Sequence, residues 1–217
     1  MLNIDTKQLL VVNHFEITEN SQASVEALFT ASEARKSLKH AVLYKGLSDN
    51  RYVLLYEVAD FAEWQAKLES AAYREFVQEL TPYLASDFHQ EIAGLVEAVR
   101  DRETLAPTTP FMQLRHIEVP LSGIEPYLDW RRRRIFEYVK KNDLVGSFLA
   151  FHSVVSTTPG VLFVVEFSHD PVEYRNSFLT PEYQVIIKEA GHDHIKGGLN
   201  TVEYQLAVAP LALQSSH

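Results

Sequence analysis

Cysteine is absent from the 217-residue chain, which excludes a disulfide framework, a thiolate nucleophile, a Cys-ligated zinc and an iron–sulfur cluster; any metal would need His, Asp or Glu. Cations are in the minority, with 20 Lys and Arg against 29 Asp and Glu. A net charge of -9 argues against a nucleic-acid partner, because phosphate binding draws on clustered basic side chains. No apolar run approaches the ~18 residues of a membrane span. The start, MLNIDTKQLLVVNHFEI, has neither a basic leader nor a small-residue cleavage site, so a cytoplasmic protein without a membrane partner is expected. There is no Gly-rich phosphate loop, no Gly-x-Ser-x-Gly elbow and no His-Glu-x-x-His helix, which leaves nucleotide binding, serine hydrolysis and metalloprotease chemistry without support. What the chain does have is a 46% hydrophobic composition with 12 Phe and 10 Tyr, enough for a substantial core.

The chain also repeats itself about a hundred residues on. VVNHFEI (11–17) matches QLRHIEV (113–119), and VLLYEVADFAEW (53–64) matches LFVVEFSHDPVEY (162–174) with one insertion. LESAAYREFVQEL then matches SFLTPEYQVIIKEA, and LVEAV near 95 matches TVEYQ near 201. Between the copies, VRDRETLAPTTP lacks periodicity and reads as a linker near 101–110, dividing the chain into repeats 1–102 and 110–217. Period and punctuation give each copy the order strand, helix, strand, strand, helix, strand, with single long helices over 22–39, 60–84, 122–141 and 170–190. That is the ferredoxin-like βαββαβ order, so the fold class is α+β. A four-stranded sheet with helices on one face leaves the other bare, and two such sheets packed in one chain would close an intramolecular α/β barrel. Alternation along the first strand puts Asn13, Phe15 and Ile17 on one face and His14 and Glu16 on the other.

The segment YVLLYEVADFAEWQAKLESAAYREF, through Tyr56, Glu57, Val58, Trp64, Ser70 and Tyr73, resembles the antibiotic-biosynthesis-monooxygenase families of the dimeric α/β-barrel superfamily. Val165, Glu166, Phe167, Tyr174 and Tyr183 form a weaker second copy. The resemblance implies a pocket between sheet and helices, with an Asn on the first strand and a Trp on the second helix. Asn13 and Trp64 occupy those positions. It implies an oxidoreductase, a cofactor-independent monooxygenase acting on an aromatic or polyketide-like small molecule that itself reduces oxygen once deprotonated. Asn13 would orient a carbonyl, Trp64 would wall the pocket, and His116 or a Tyr would move the proton, with Tyr73 and Tyr174 beside the substrate. Related heme-degrading enzymes add a His one helical turn after the aromatic; here Val77 and Ile187 stand there.

In the second copy Arg115 and Tyr174 replace Asn13 and Trp64. The steps Ile124, Leu128, Arg131, Ile135, Tyr138 follow a helical stripe that turns Arg131 inward and leaves Arg132, Arg133 and Arg134 to solvent, so Arg115 and Arg131 are a candidate joint site for an anion. Histidine is concentrated in this copy, at His116, His152, His169, His192 and His194. His192-Asp193-His194, read as extended, would turn both rings one way but supply only two nitrogens. His14-x-Glu16 and His116-x-Glu118 recur at one position of both repeats; inside the barrel they could form a metal or proton-relay site, or simply a hydrogen-bonded polar cluster, and no metal ligand set is assigned. Two alternatives accompany the monooxygenase reading. One is heme or tetrapyrrole binding or degradation, with Arg115 and Arg131 on propionates and a His of the second copy on iron. The other is a non-oxidative cyclase, isomerase or ligand-binding module. Further association of the fused barrel into a homo-oligomer stays open.

Overall fold

Alternation along the first strand decides the architecture. In a computed structural model describing residues 4–157 and 160–211, strand β1 (Asp5–Glu16) sends Leu9, Val11 and Phe15 to the helices and Leu10 and Val12 to the opposite side. Behind it come α1 (Gln22–Ala31), α2 (Glu33–Ser37), β2 (Lys39–Gly46), β3 (Arg51–Val58), α3 (Phe61–Glu69), α4 (Ala71–Leu80) and β4 (His89–Arg100). The second half repeats the order with β5 (Phe111–Glu118), α5 (Ile124–Arg131), a π-helical stretch (Arg132–Phe136), α6 (Glu137–Lys141), β6 (Ser147–Val155), β7 (Val161–Phe167), α7 (Pro171–Ser177), α8 (Pro181–Asp193) and β8 (Lys196–Val208).

The eight strands close into one antiparallel barrel in the order β1-β3-β2-β8-β5-β7-β6-β4. Stepping four places around this ring carries each strand of one half onto its counterpart in the other, so an approximate two-fold axis runs along the barrel. At eight strands the interior is just wide enough for side chains to fill it. Leu10, Val12, Val42, Tyr44, Val53 and Leu55 meet Met112, Leu114, Phe151, Leu162 and Val164 there, while separate cores lie between each half-sheet and its own helices.

The expected long helices are broken, and the breaks share a cause. Ser32, Ser70 and Thr180 adopt extended backbone and their hydroxyls accept the N–H of Arg35, Tyr73 and Tyr183, so each caps a new helix instead of continuing the old one. The 122–141 helix keeps its course but widens into the π-helical stretch after Arg131. The linker is also more than a tether. Leu105 and Ala106 enter the barrel interior, where the burial of their backbone requires partners. Glu57 accepts the N–H of Leu105 and Ala106 at 2.8 and 3.1 Å, and Glu166, its repeat counterpart, accepts those of Thr108 and Thr109. Arg102 binds Glu166 at 2.6 Å. The paired Glu of the two repeats thus seats a plug in one end of the barrel.

Candidate functional site

The gap between sheet and helices is built on the same plan in both halves. Asp60 and Asp170 cap the first helix after the hairpin, Ser70 and Thr180 the second, and those caps set Tyr73 and Tyr183 at equivalent points. The lining differs. In the N-terminal half Asn13 is fully buried within packed core, its amide donating weakly to the Leu54 carbonyl at 3.4 Å. Tyr73 accepts from Gln90 at 2.8 Å. Asn13 Oδ1, Tyr56 Oη and Trp64 Nε1 are buried without a hydrogen-bond partner. Burial, with the Tyr73 phenol beside it, pushes the Tyr56 phenol well above its ordinary range.

In the C-terminal half the gap is open. A cleft of about 900 Å³ reaches down to Gln113 and Arg115 on β5, between Tyr174 of α7, Tyr183 of α8 and Thr201 and Glu203 of β8, with the Leu47–Arg51 hairpin of the other half on its rim. Arg115 is fixed by two neutral partners, donating to Tyr183 Oη at 2.9 Å and Thr201 Oγ1 at 3.0 Å. Among the described residues no carboxylate forms a salt bridge with it, whereas the neighbouring Arg175 faces Glu203 at 3.5 Å and Arg51 faces Asp49 at 2.9 Å. Tyr174, stacked on Phe167 at 3.8 Å, is one wall, and its phenol is raised strongly by burial. Behind Arg115 a crevice of about 20 Å³ continues between Ile117, Tyr127, Trp130, Ile135, Phe148, Phe163 and Ala190. Burial pushes the Tyr127 phenol up to about 12, against the pull of Arg131. Burial likewise raises the Glu203 carboxyl above the usual carboxylate range, with Arg175 and Gln113 only partly offsetting it.

Arg131 does turn inward, but it does not join Arg115. It is 1% exposed, bound to Glu97 at 3.1 Å and packed over Phe136 at 4.8 Å, so its charge is already neutralised and caged. His116 is not beside Asn13 and Trp64 either: it lies on the interior face of the barrel, with the sheet between it and either gap. There it bonds Glu91 at 2.8 Å, and His14 approaches the same carboxylate oxygen at 3.6 Å. Burial alone would raise Glu91; His116, His14 and Ser153 reverse this and hold it down at about 2. The repeat's own acids, Glu16 and Glu118, are exposed. His192-Asp193 belongs to the end of α8 rather than to an extended segment; His192 is exposed against Asp193 and His194 packs on Trp130 at 4.7 Å.

Sequence reading missed Glu203, Gln113 and Tyr127. Glu203 was hidden by register. Matching LVEAV to TVEYQ sets it beside Glu97, but in the sheet Gln113 pairs with Glu203 as Val11 pairs with Ile92, so the equivalent of Glu203 is Ile92.

No family model and no curated protein matches the chain by sequence. Solved structures do match in fold. A protein described as a candidate monooxygenase from Fusobacterium nucleatum superposes with a TM-score of 0.68 at 11% identity, over 97% of this chain and 95% of that one. An anthrone oxidase-like protein gives 0.71 at 10% identity over 92% and 91%, and a candidate chlorite dismutase 0.64 at 10% over 93% and 95%. Their agreement over nearly the full length shows that this chain shares their overall fold.

Proposed function

We propose that the chain is an oxidoreductase of the monooxygenase type whose working site is the C-terminal cleft, and that its substrate is a flat aromatic compound bound as a phenolate or enolate. The observation that carries this reading is Arg115: a guanidinium held at the floor of a 900 Å³ cleft by Tyr183 and Thr201 and paired with no acid among the described residues. Such a cation gains most from an oxyanion supplied by a ligand, bound through parallel N–H donors. Aromatic walls from Tyr174, Phe178 and Tyr183 suit a planar ring.

The chemistry follows from the lining. Glu203, with its raised pKa, is the group suited to take a proton from the substrate near neutral pH, and Arg115 stabilises the anion so formed. An electron-rich anion reduces dioxygen directly; the ring carbon gives up two hydrogens and takes one oxygen atom, and the second oxygen leaves as water. The 20 Å³ crevice behind Arg115 has room for one molecule of water size, and apolar walls favour a nonpolar diatomic over water. The similarity to an anthrone oxidase-like structure agrees with this class of substrate.

Heme does not fit this cleft. No histidine is among the residues lining it, and the position the resemblance implies for an iron ligand is Ile187, which forms part of its wall. The test is an oxygen electrode with a panel of anthrone-like and dihydroxyaromatic compounds. One O₂ consumed per substrate oxidised, without added flavin, nicotinamide or heme, is expected; tight binding of a phenolate with no oxygen uptake would instead support the cyclase or ligand-binding alternative and defeat the oxidative reading.

A further inference from the structure

The end of the barrel opposite the linker plug holds a cluster that the cleft chemistry does not use. His14 on β1 and His116 on β5 are the same repeat position, and closure of the barrel brings their rings to 5.8 Å across the approximate two-fold axis. Glu91 of β4 stands between them. One of its oxygens, Oε2, faces both imidazoles, with His116 Nε2 at 2.8 Å and His14 Nε2 at 3.6 Å; the other, Oε1, accepts from Ser153. One ligand atom from each of the three residues falls within 4.8 Å of the other two. Glu91 and His116 are 1% and 5% exposed, yet the His14 nitrogen is buried beyond hydrogen-bonding distance of any partner.

Symmetry makes this arrangement informative. Val12 pairs with Glu91, and its repeat counterpart Leu114 pairs with Val202, so the second half has valine where the first has the acid. A true dimer would place two carboxylates on the axis or none. The fused chain keeps one, which sets a single carboxylate between two imidazoles on the axis.

We infer that His14, Glu91 and His116 form a binding site on the barrel axis for a first-row divalent transition metal. Two imidazole nitrogens and one carboxylate oxygen are a ligand set such ions accept. Ser153 acts from behind the carboxylate, fixing Oε1 and leaving Oε2 toward the histidines. His14 also lines a surface pocket of about 130 Å³ at this end of the barrel, together with Glu16 and His89. Three protein ligands leave coordination positions for solvent. Because the strands involved come from both halves, the ion also ties the two repeats together. The inference does not depend on the reading of the C-terminal cleft.

The test uses the full chain after chelator treatment, titrated with Co²⁺ followed by visible absorption and with Zn²⁺ followed by calorimetry. One ion per chain and a Zn²⁺-dependent rise in Tm are expected. Glu91→Gln and His116→Gln should each weaken binding by roughly 100-fold or more, and His192→Ala should not change it. If a buried variant fails to fold by circular dichroism, His14→Gln at the more exposed ligand decides in the same way. Absence of Co²⁺ bands at millimolar metal, binding unaffected by Glu91→Gln or His14→Gln, or binding lost on His192→Ala would each overturn the assignment.

Discussion

The two sheet-to-helix gaps have the same backbone and opposite contents. Where the N-terminal half places Val11, Asn13, Tyr56, Trp64, Leu80 and Gln90, the C-terminal half places Gln113, Arg115, Val165, Tyr174, Ala190 and Thr201. The first set fills its space with rings and a large aliphatic chain and closes around an amide. The second replaces Leu80 by Ala190 and Tyr56 by Val165, and with Glu203 in the place of Ile92 it brings a cation and an acid to a cleft. The two halves share the caps that aim the helices and differ in the lining between helices and sheet. A resemblance carried by Asn13 and Trp64 points to the N-terminal half, whereas the open space and unpaired charge lie in the other.

The largest expected effect concerns Glu203. If it is the base, Glu203→Gln should lower kcat by about 10²- to 10⁴-fold, the range for a positioned proton acceptor. Its pH profile supplies the sign. Glu203 must be ionised to act, and burial holds its folded pKa above the ordinary carboxylate value; kcat/KM in the wild type should therefore fall as pH drops through that raised pKa, and the acid limb should vanish in the variant. Steady-state rates from pH 4 to 8 check this. The counterpart Ile92→Gln should alter stability and leave the pH profile in place.

Next comes the comparison of Arg115 with Asn13. Arg115→Gln should weaken phenolate binding by about 100-fold, near the 2–5 kcal/mol cost of removing one partner of a buried charge pair. Asn13→Ala should leave binding within about twofold. Equal losses in both, measured by ligand titration, would mean that both gaps bind substrate and would erase the contrast.

How far the sequence foretold this depends on the range of the signal. Strand and helix order, the repeat, and the opposite facing of Asn13 and His14 were legible because period 2 and period 3.6 are local properties. The helix breaks at Ser32, Ser70 and Thr180 were hidden because the helical spacing of apolar residues continues past them. Glu91 and Glu203 were hidden for a different reason: each acquires its partners only through strand register across the barrel, and a shift in register moves an acid from the neighbourhood of Glu97 to that of Gln113. Arg131 was correctly turned inward by its stripe, but no spacing within its helix could reveal Glu97 waiting on β4.

A smaller effect is expected from exchanging Ala190 and Leu80. Ala190→Leu adds three carbons to a crevice of about 20 Å³, enough to exclude dioxygen from it, and should raise the KM for oxygen by about tenfold with an overpacking cost of about 1 kcal/mol. Leu80→Ala should act on stability alone, lowering it by about 2–5 kcal/mol as a buried leucine truncation, with oxygen kinetics unchanged. Oxygen-dependent rates and denaturant melts on the pair separate the two outcomes.

The smallest effect is the most discriminating test of the closed half. Tyr56 is fully buried, and its hydroxyl, the Trp64 indole nitrogen and the Asn13 carbonyl oxygen all lack hydrogen-bond partners. A buried polar group in that state costs about 1–3 kcal/mol, and removing it while keeping the ring returns part of that cost. Tyr56→Phe should therefore change stability by less than about 0.5 kcal/mol or raise it slightly, with turnover unaffected. A functional pocket would answer differently, because there the orphaned atoms would be waiting for a ligand and the phenylalanine variant would lose binding. Guanidinium melts beside ligand titrations on Tyr56→Phe thus ask whether the unpaired atoms of the N-terminal half are tolerated packing costs or the remains of a working site, and a loss of substrate affinity greater than about tenfold would return the chemistry to Asn13 and Trp64.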